Sequence, residues 1–240
     1  MSEYIYGRNV ARQRLKEGKN IISVNVMDAF RDKEIMMLAH NQKLVVQTKS
    51  KKALDEMVGC DKHQGIVLEV SAYAYVHMEE LIQNNQSEYP LIVLLDGLED
   101  PHNLGAVLRS GDALGINGVI IGKHRSVELN ATVAKVSTGA IERVAVCRVV
   151  NLSQTLQQLK AKGYWVVGAD MDTQAMCYDE PDYKIPLVLV IGSEGKGISK
   201  LVRKQCDFFV YLPMRGSVSS LNASVASAVL MYEIDRKRRR

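Results

Sequence analysis

LVLVIGSEGKGIS, residues 187–199, decides how this chain folds. Its first half is a continuous apolar run rather than an alternation, which marks a strand buried on both faces and hence a parallel sheet covered by helices. Its second half is a glycine-rich loop with one acid, Glu194. In sheets of this kind ligands sit at the carboxyl ends of the strands, where such a loop begins.

Working outward, the same pattern recurs. Apolar runs stand at LIVLL (91–95), GVIIG (118–122), VAVCRV (144–149), YWVVGA (164–169), PLVLVIG (186–192) and DFFVYL (207–212), with helical stretches between them. They predict a parallel α/β domain over 91–240. Upstream, QNNQSEYP at 83–90 is polar and free of aliphatic residues, as a linker should be, and all five prolines fall at or after it. Residues 1–82 alternate short β-branched runs with helical periods. The expected elements are helix 6–17, strand 21–25, helix 29–39, strand 43–47, helix 51–58 and strand 65–70, a small α/β unit of about three layers.

The charge is local. Without the five basic residues 236–240, the net charge of +4 becomes −1, which fits contacts at chosen places better than a polyelectrolyte coat. That tail is either a partner contact or a frayed, solvated end. On the first helix, Arg8, Arg12, Lys16 and Lys19 share one face, either tracking phosphates or simply solvated, and KSKK at 49–52 adds a second basic spot. Tyr73 and Tyr75 either stack on bases or close the small domain's core. The four cysteines are far apart and form no CxxC pair, so a disulfide framework and a zinc site are not expected and a reducing cytosol is. His63, His77, His102 and His124 have no second ligand at metal spacing, so no metal is expected. No run of ~18 apolar residues routes the chain to a membrane.

Two further stretches share the character of the first. LLDGLEDPHNLGAVLRSGDALG at 94–115 and LPMRGSVSSLNASVASAVLMY at 212–232 each pass from an apolar run through a Gly- or Ser-rich turn into a helix. GSEGKGIS is no P-loop, since only two residues separate its first glycine from the Gly-Lys pair, and no GxGxxG follows the first strand of the domain. Asn103 reads as a helix N-cap before Leu104, Val107 and Leu108. Arg109 lies on the polar face of that helix, roughly 9 Å further along its axis. Of Ser220 and Asn222, capping explains only one.

Together and in this order, the three stretches resemble the signature motifs of the SpoU-type, TrmH-like RNA ribose methyltransferases, and within them the bacterial members acting on a guanosine of 23S ribosomal RNA. The resemblance implies an adenosylmethionine-dependent enzyme that methylates a guanosine ribose 2′-hydroxyl. It implies a C-terminal trefoil knot in the α/β domain, preceded by a ribosomal-protein-like RNA-binding module, and a homodimer in which the last helix takes part. It assigns Gly192, Leu212 and Leu221 to the methyl donor, with Met214 and Ile198 as further walls. Asn103, Arg109, Glu194, Ser220 and Asn222 fall to catalysis and pocket shape, Arg109 activating the hydroxyl, and Glu194 has the Asn103 amide or Arg109 within its reach. Arg8, Arg12 and Lys16 are the expected RNA contacts. A transfer-RNA methyltransferase, or a non-catalytic ribosome-assembly factor on the same scaffold, is the alternative.

Overall fold

The computed structural model describes residues 2–18, 21–71, 73–83, 87–171 and 174–239. Two compact units divide between Tyr73 and Ala74. The first contains β1 (Ser2–Tyr6), α1 (Arg8–Glu17), β2 (Ile21–Met27), α2 (Lys33–Asn41), β3 (Val45–Lys49), α3 (Lys51–Val58) and β4 (Ile66–Ser71). Its sheet runs β1-β4-β2-β3, with β4 antiparallel to both β1 and β2, and β2 parallel to β3. Four consecutive residues of β2, Ser23 to Val26, are buried, so both of its faces are covered. Ala11 and Leu15 of α1 and Ile35 and Ala39 of α2 pack with Val24, Val26, Ile66, Leu68 and Val70. The alternate residues are polar and pair among themselves: Asn25 Nδ2 donates to Ser23 Oγ at 3.1 Å, and Ser23 Oγ donates to Glu69 Oε2 at 2.9 Å. β1 is absent from the sequence-based expectation; Gly7, at φ 93°, separates it from α1, whose apolar period had drawn the helix start back to residue 6.

The second unit contains α4 (Met78–Gln83), β5 (Leu91–Asp96), α5 (Pro101–Leu114), β6 (Gly118–Gly122), α6 (Ala131–Ser137), β7 (Val146–Val149), α7 (Leu152–Ala161), β8 (Trp165–Ala169), β9 (Met176–Cys177), β10 (Leu187–Gly192), α8 (Lys200–Arg203), β11 (Phe208–Tyr211) and α9 (Ala223–Arg238). Residues 74–82, expected in the first unit, belong here. Val76 N–H donates to Val146 O at 2.9 Å, and Leu81 of α4 is fully buried in this unit's core. Of the expected linker, residues 84–86 lie outside the described residues.

All seven strands are parallel, in the order β7-β6-β5-β10-β8-β11-β9. The chain travels outward from β5 to β7, resumes on the far side at β8, and fills the gap between β5 and β8 with β10. That reversal of direction is a switch point, and it leaves a crevice at the carboxyl ends of the central strands. At the opposite edge Arg238 is stapled in place. Its guanidinium donates to the carbonyls of Tyr89, Tyr183 and Ile185 at 2.8–2.9 Å. Burial pulls its pKa down to about 10, so it stays charged at neutral pH.

Candidate active site

The loops leaving β8, β10 and β11 meet the start of α9 around a cleft of about 560 Å³. Residues 169–171, 191–195, 210–212 and 219–223 line it, with Gly197, Met214, Ala226 and Leu230. Its apolar surface comes from Ile191, Val210, Leu212, Met214, Leu221 and Leu230, and its ionisable side chains of fixed charge are Asp170 and Glu194, both acids.

At the mouth the three motifs are tied by hydrogen bonds. Glu194 Oε1 accepts from Asn103 Nδ2 at 3.0 Å and from Asn222 Nδ2 at 2.7 Å, and Asn222 Nδ2 also reaches Asn103 Oδ1 at 2.9 Å. Asn222 caps α9, its Oδ1 accepting from Ser224 N–H at 2.9 Å and from the Ser224 hydroxyl at 2.6 Å. With the oxygen so engaged, the amide nitrogen has to face the other two side chains. A second tie runs beneath: buried Asp96, at the end of β5, accepts from Ser199 N–H at 2.7 Å.

Asn103 is not the cap of its helix. Asp100 holds that position, accepting from His102 N–H at 2.8 Å with Pro101 at the first helical position, and Asn103 sits inside the first turn, 6% exposed. Deeper in α5, a Cβ on Gly105 would stand 2.7 Å from Val136 Cβ, so glycine there lets α5 and α6 close together.

Of the residues expected around the donor, Gly192, Leu212, Met214 and Leu221 line the cleft. Ile198 does not: its side chain is buried in the apolar core beneath. Gly192 is required by the protein's own backbone. A Cβ there would collide with the carbonyl carbon of Gly197 and lie 2.5 Å from Ile198 N, because the loop folds back and pairs Ser193 with Gly197. Ser220 lines the cleft on the exposed side. Arg109 is exposed, outside the cleft lining, and has no hydrogen bond or ion pair among the described residues, so Glu194 holds Asn103 and not Arg109. Sequence reasoning missed Asp170, which lines the cleft while paired to Arg203. Its signal was present: an acid directly after an apolar run, as in Asp96 after LIVLL.

The basic stripe of the first unit is engaged internally. Arg12 pairs with Asp32 at 2.8 Å and Glu34 at 2.7 Å, Lys16 with Glu34 at 2.8 Å, and Arg8 lies 5.3 Å from the Phe30 ring centroid. Lys19 lies outside the described residues. Within KSKK, Ser50 caps α3, and Lys51 and Lys52 are exposed. His63 is buried with its Nε2 2.9 Å from Asp55 Oδ1 and its Nδ1 accepting from Gly65 N–H, a structural role. Tyr73 is buried under Arg14 in the first unit. Tyr75 belongs to the second, its hydroxyl accepting from Leu129 N–H at 2.8 Å. The basic tail is also absorbed: Arg236 pairs with Glu233 and Arg239 with Asp235. No helix among the described residues is long and apolar enough to cross a membrane.

Comparison with known proteins agrees with this geometry. The SpoU rRNA Methylase family matches residues 90–232, and the RNA 2′-O ribose methyltransferase substrate binding family matches residues 4–76. A protein of Staphylococcus haemolyticus named for the TrmH family of tRNA/rRNA methyltransferases is 46% identical over 98% of this chain and 95% of its own length. YacO of Bacillus subtilis, named likewise, is 44% identical over 98% of this chain and 96% of its own. Among solved structures, the SpoU methyltransferase AviRb from Streptomyces viridochromogenes, crystallised with AdoMet, shares the fold at TM-score 0.70 and 23% identity, over 99% of this chain and 90% of that one. A crystal structure described as an RNA 2′-O ribose methyltransferase gives TM-score 0.66 at 26% identity, over 100% of this chain and 90% of that one.

Proposed function

The chain belongs to the SpoU rRNA Methylase family and is an RNA methyltransferase; within that family we propose that it moves a methyl group from S-adenosyl-L-methionine to a ribose 2′-hydroxyl, with a guanosine of 23S ribosomal RNA as the acceptor. The observation that carries the reading is the cleft itself. Its volume of about 560 Å³ lies within the ~300–1,000 Å³ usual for small-molecule sites. Its apolar walls, and the Glu194 carboxylate in its lining, suit a ligand that is flat at one end and cationic at the other. Such a donor supplies a methyl already activated by a sulfonium.

The chain's own work is then placement and the removal of one proton. Gly192, Leu212, Met214 and Leu221 hold the donor through main-chain groups and apolar contact, and Glu194 fixes the amides of Asn103 and Asn222 beside it. Ser220 completes the acceptor side. A guanidinium is a poor base, so Arg109 is better suited to holding charge than to taking a proton. Its exposed, unpartnered position suits a phosphate or the developing alkoxide of the acceptor, with the proton passing to that phosphate or to water.

A homodimer is part of this reading. Val225, Val229 and Tyr232 form an exposed apolar row on α9 at 49%, 38% and 54% exposure, while Leu230, Met231 and Ile234 of the same helix are buried within the chain. The cytosol and a threaded, knotted path of the segment between β10 and α9 also belong to it.

Mapping ribose methylation across ribosomal and transfer RNA in cells lacking the gene tests the proposal. Loss of one guanosine 2′-O-methyl mark in 23S RNA, restored by the unmutated chain and not by Arg109→Ala, is expected. Loss of a base methyl, or of a mark confined to transfer RNA, would overturn the ribose or the ribosomal assignment respectively.

A further inference from the structure

The cleft that would take the donor offers the acceptor's backbone no cation. Among the described residues its charged lining is Glu194 and Asp170, the latter paired with Arg203, and no lysine or arginine lines it. An RNA strand carrying one negative charge per nucleotide must therefore be held from outside it. The loops around the mouth supply the means. Lys123 and Arg125 follow β6, Lys196 sits in the loop after β10, and Arg215 in the loop after β11. All four are exposed, and none has a carboxylate partner among the described residues. Elsewhere in the unit, Arg143 is paired with Asp112, Arg148 with Glu128 and Lys160 with Asp207, while Lys135, Lys162, Lys184 and Lys204 are exposed without a carboxylate partner among the described residues; what sets Lys123, Arg125, Lys196 and Arg215 apart is their place in the loops beside the cleft.

The Lys123–Arg125 turn is not a loose excursion. Lys123 N–H donates to Val149 O at 2.8 Å, and Val127 N–H donates to Leu98 O at 2.7 Å, which pins both ends of the turn. It also neighbours the catalytic loops directly. The point where a Cβ on Gly97 would stand is 3.5 Å from Ser193 Cβ and 3.9 Å from the Arg125 carbonyl oxygen. Within it, Arg125 adopts φ 52°, a left-handed conformation uncommon for a residue other than glycine. The turn thus holds a bulky cation at a backbone conformation where glycine is easier.

We infer that Lys123 and Arg125, with Lys196 and Arg215, form an RNA-phosphate anchor that grips the acceptor strand on either side of the methylated ribose. The anchor rests on the methyl-transfer reading for the identity of the strand, though its binding does not require the donor. Lysine and arginine in exposed positions suit this task, since a phosphate contact needs charge rather than a shaped pocket.

The test measures filter binding of the full chain to total ribosomal RNA from cells lacking the gene, without donor, across a salt series. K123Q/R125Q is compared with the unmutated chain, and calorimetry with adenosylmethionine checks that the cleft is intact. The expected result is about tenfold weaker RNA binding, with the slope of log affinity against log salt reduced by about 1.5 for two lost phosphate contacts. Donor affinity should be unchanged, and in transfer assays KM for RNA should rise with kcat within about twofold of the parent. Unchanged RNA affinity and slope, with donor binding retained, would overturn the anchor. If the parent shows no salt-dependent binding at all, the anchor also falls. Should the parent bind RNA and donor yet transfer no methyl, the methyl-transfer reading fails while the salt slope still decides the anchor.

Discussion

On α1 of the first unit each cation has company: Arg8 lies over Phe30, Arg12 between Asp32 and Glu34, Arg14 over Tyr73, and Lys16 on Glu34. Beside the cleft of the second unit, Lys123, Arg125, Lys196 and Arg215 stand exposed without a carboxylate partner among the described residues. Both regions are basic in sequence, yet they differ in what a phosphate would meet. Joining α1 means competing with carboxylates already in place, whereas joining the rim means displacing only water. Surface ion pairs are individually weak, about 0–1 kcal/mol, so the difference concerns availability more than stability.

The contrast extends to carboxylates and to buried guanidinium groups, and each can be pressed experimentally. Glu194 binds two amides from the starts of two distant helices, while Glu34 binds two cations from one helix. Glu194→Ala should lower methyl transfer by about 10²–10³-fold, the usual effect of removing a positioned polar group, with calorimetric donor affinity within a few-fold. A loss below threefold would mean the network is decoration. Next in size is Arg238→Met. It leaves three carbonyls without their donor and should lower unfolding free energy by roughly 2 kcal/mol in urea titration. Arg14→Met, which removes a guanidinium whose Nε is buried without a partner, should cost less than that; equal losses would erase the distinction between the two units. Smallest is Glu34→Gln, which releases Lys16 and leaves Arg12 on Asp32 alone. RNA binding should tighten about two- to threefold at low salt, and the gain should vanish at high salt as exposed charges are screened. Weaker binding after this change would show that α1 contacts RNA in its paired state.

How far the sequence could be read follows the range of the forces involved. Continuous apolar runs in β5, β6 and β10 announced a buried parallel sheet because a strand buried on both faces leaves its mark within five or six consecutive residues. The bond from Asn103 to Glu194 was foreseeable from the motif resemblance, and the structure places it at 3.0 Å. Two readings failed where the deciding partner is remote in sequence or a few positions away. The N-cap fell to Asp100 because the Asp-Pro pair starts the helix three residues before Asn103. The unit boundary moved because α4 buries Leu81 in the second core, a tertiary contact that a polar linker cannot reveal. The α1 stripe was correctly spaced, and spacing says nothing of the acids on α2 that occupy it.

Asn222 starts α9 with one end of its amide and bridges two other motifs with the opposite end. One side chain thus both caps the last helix and ties it to the other two motifs. Fraying of the start of α9 would release Asn103 and Glu194 from Asn222, so on the proposed function the order of that one helical turn and the activity should be lost together.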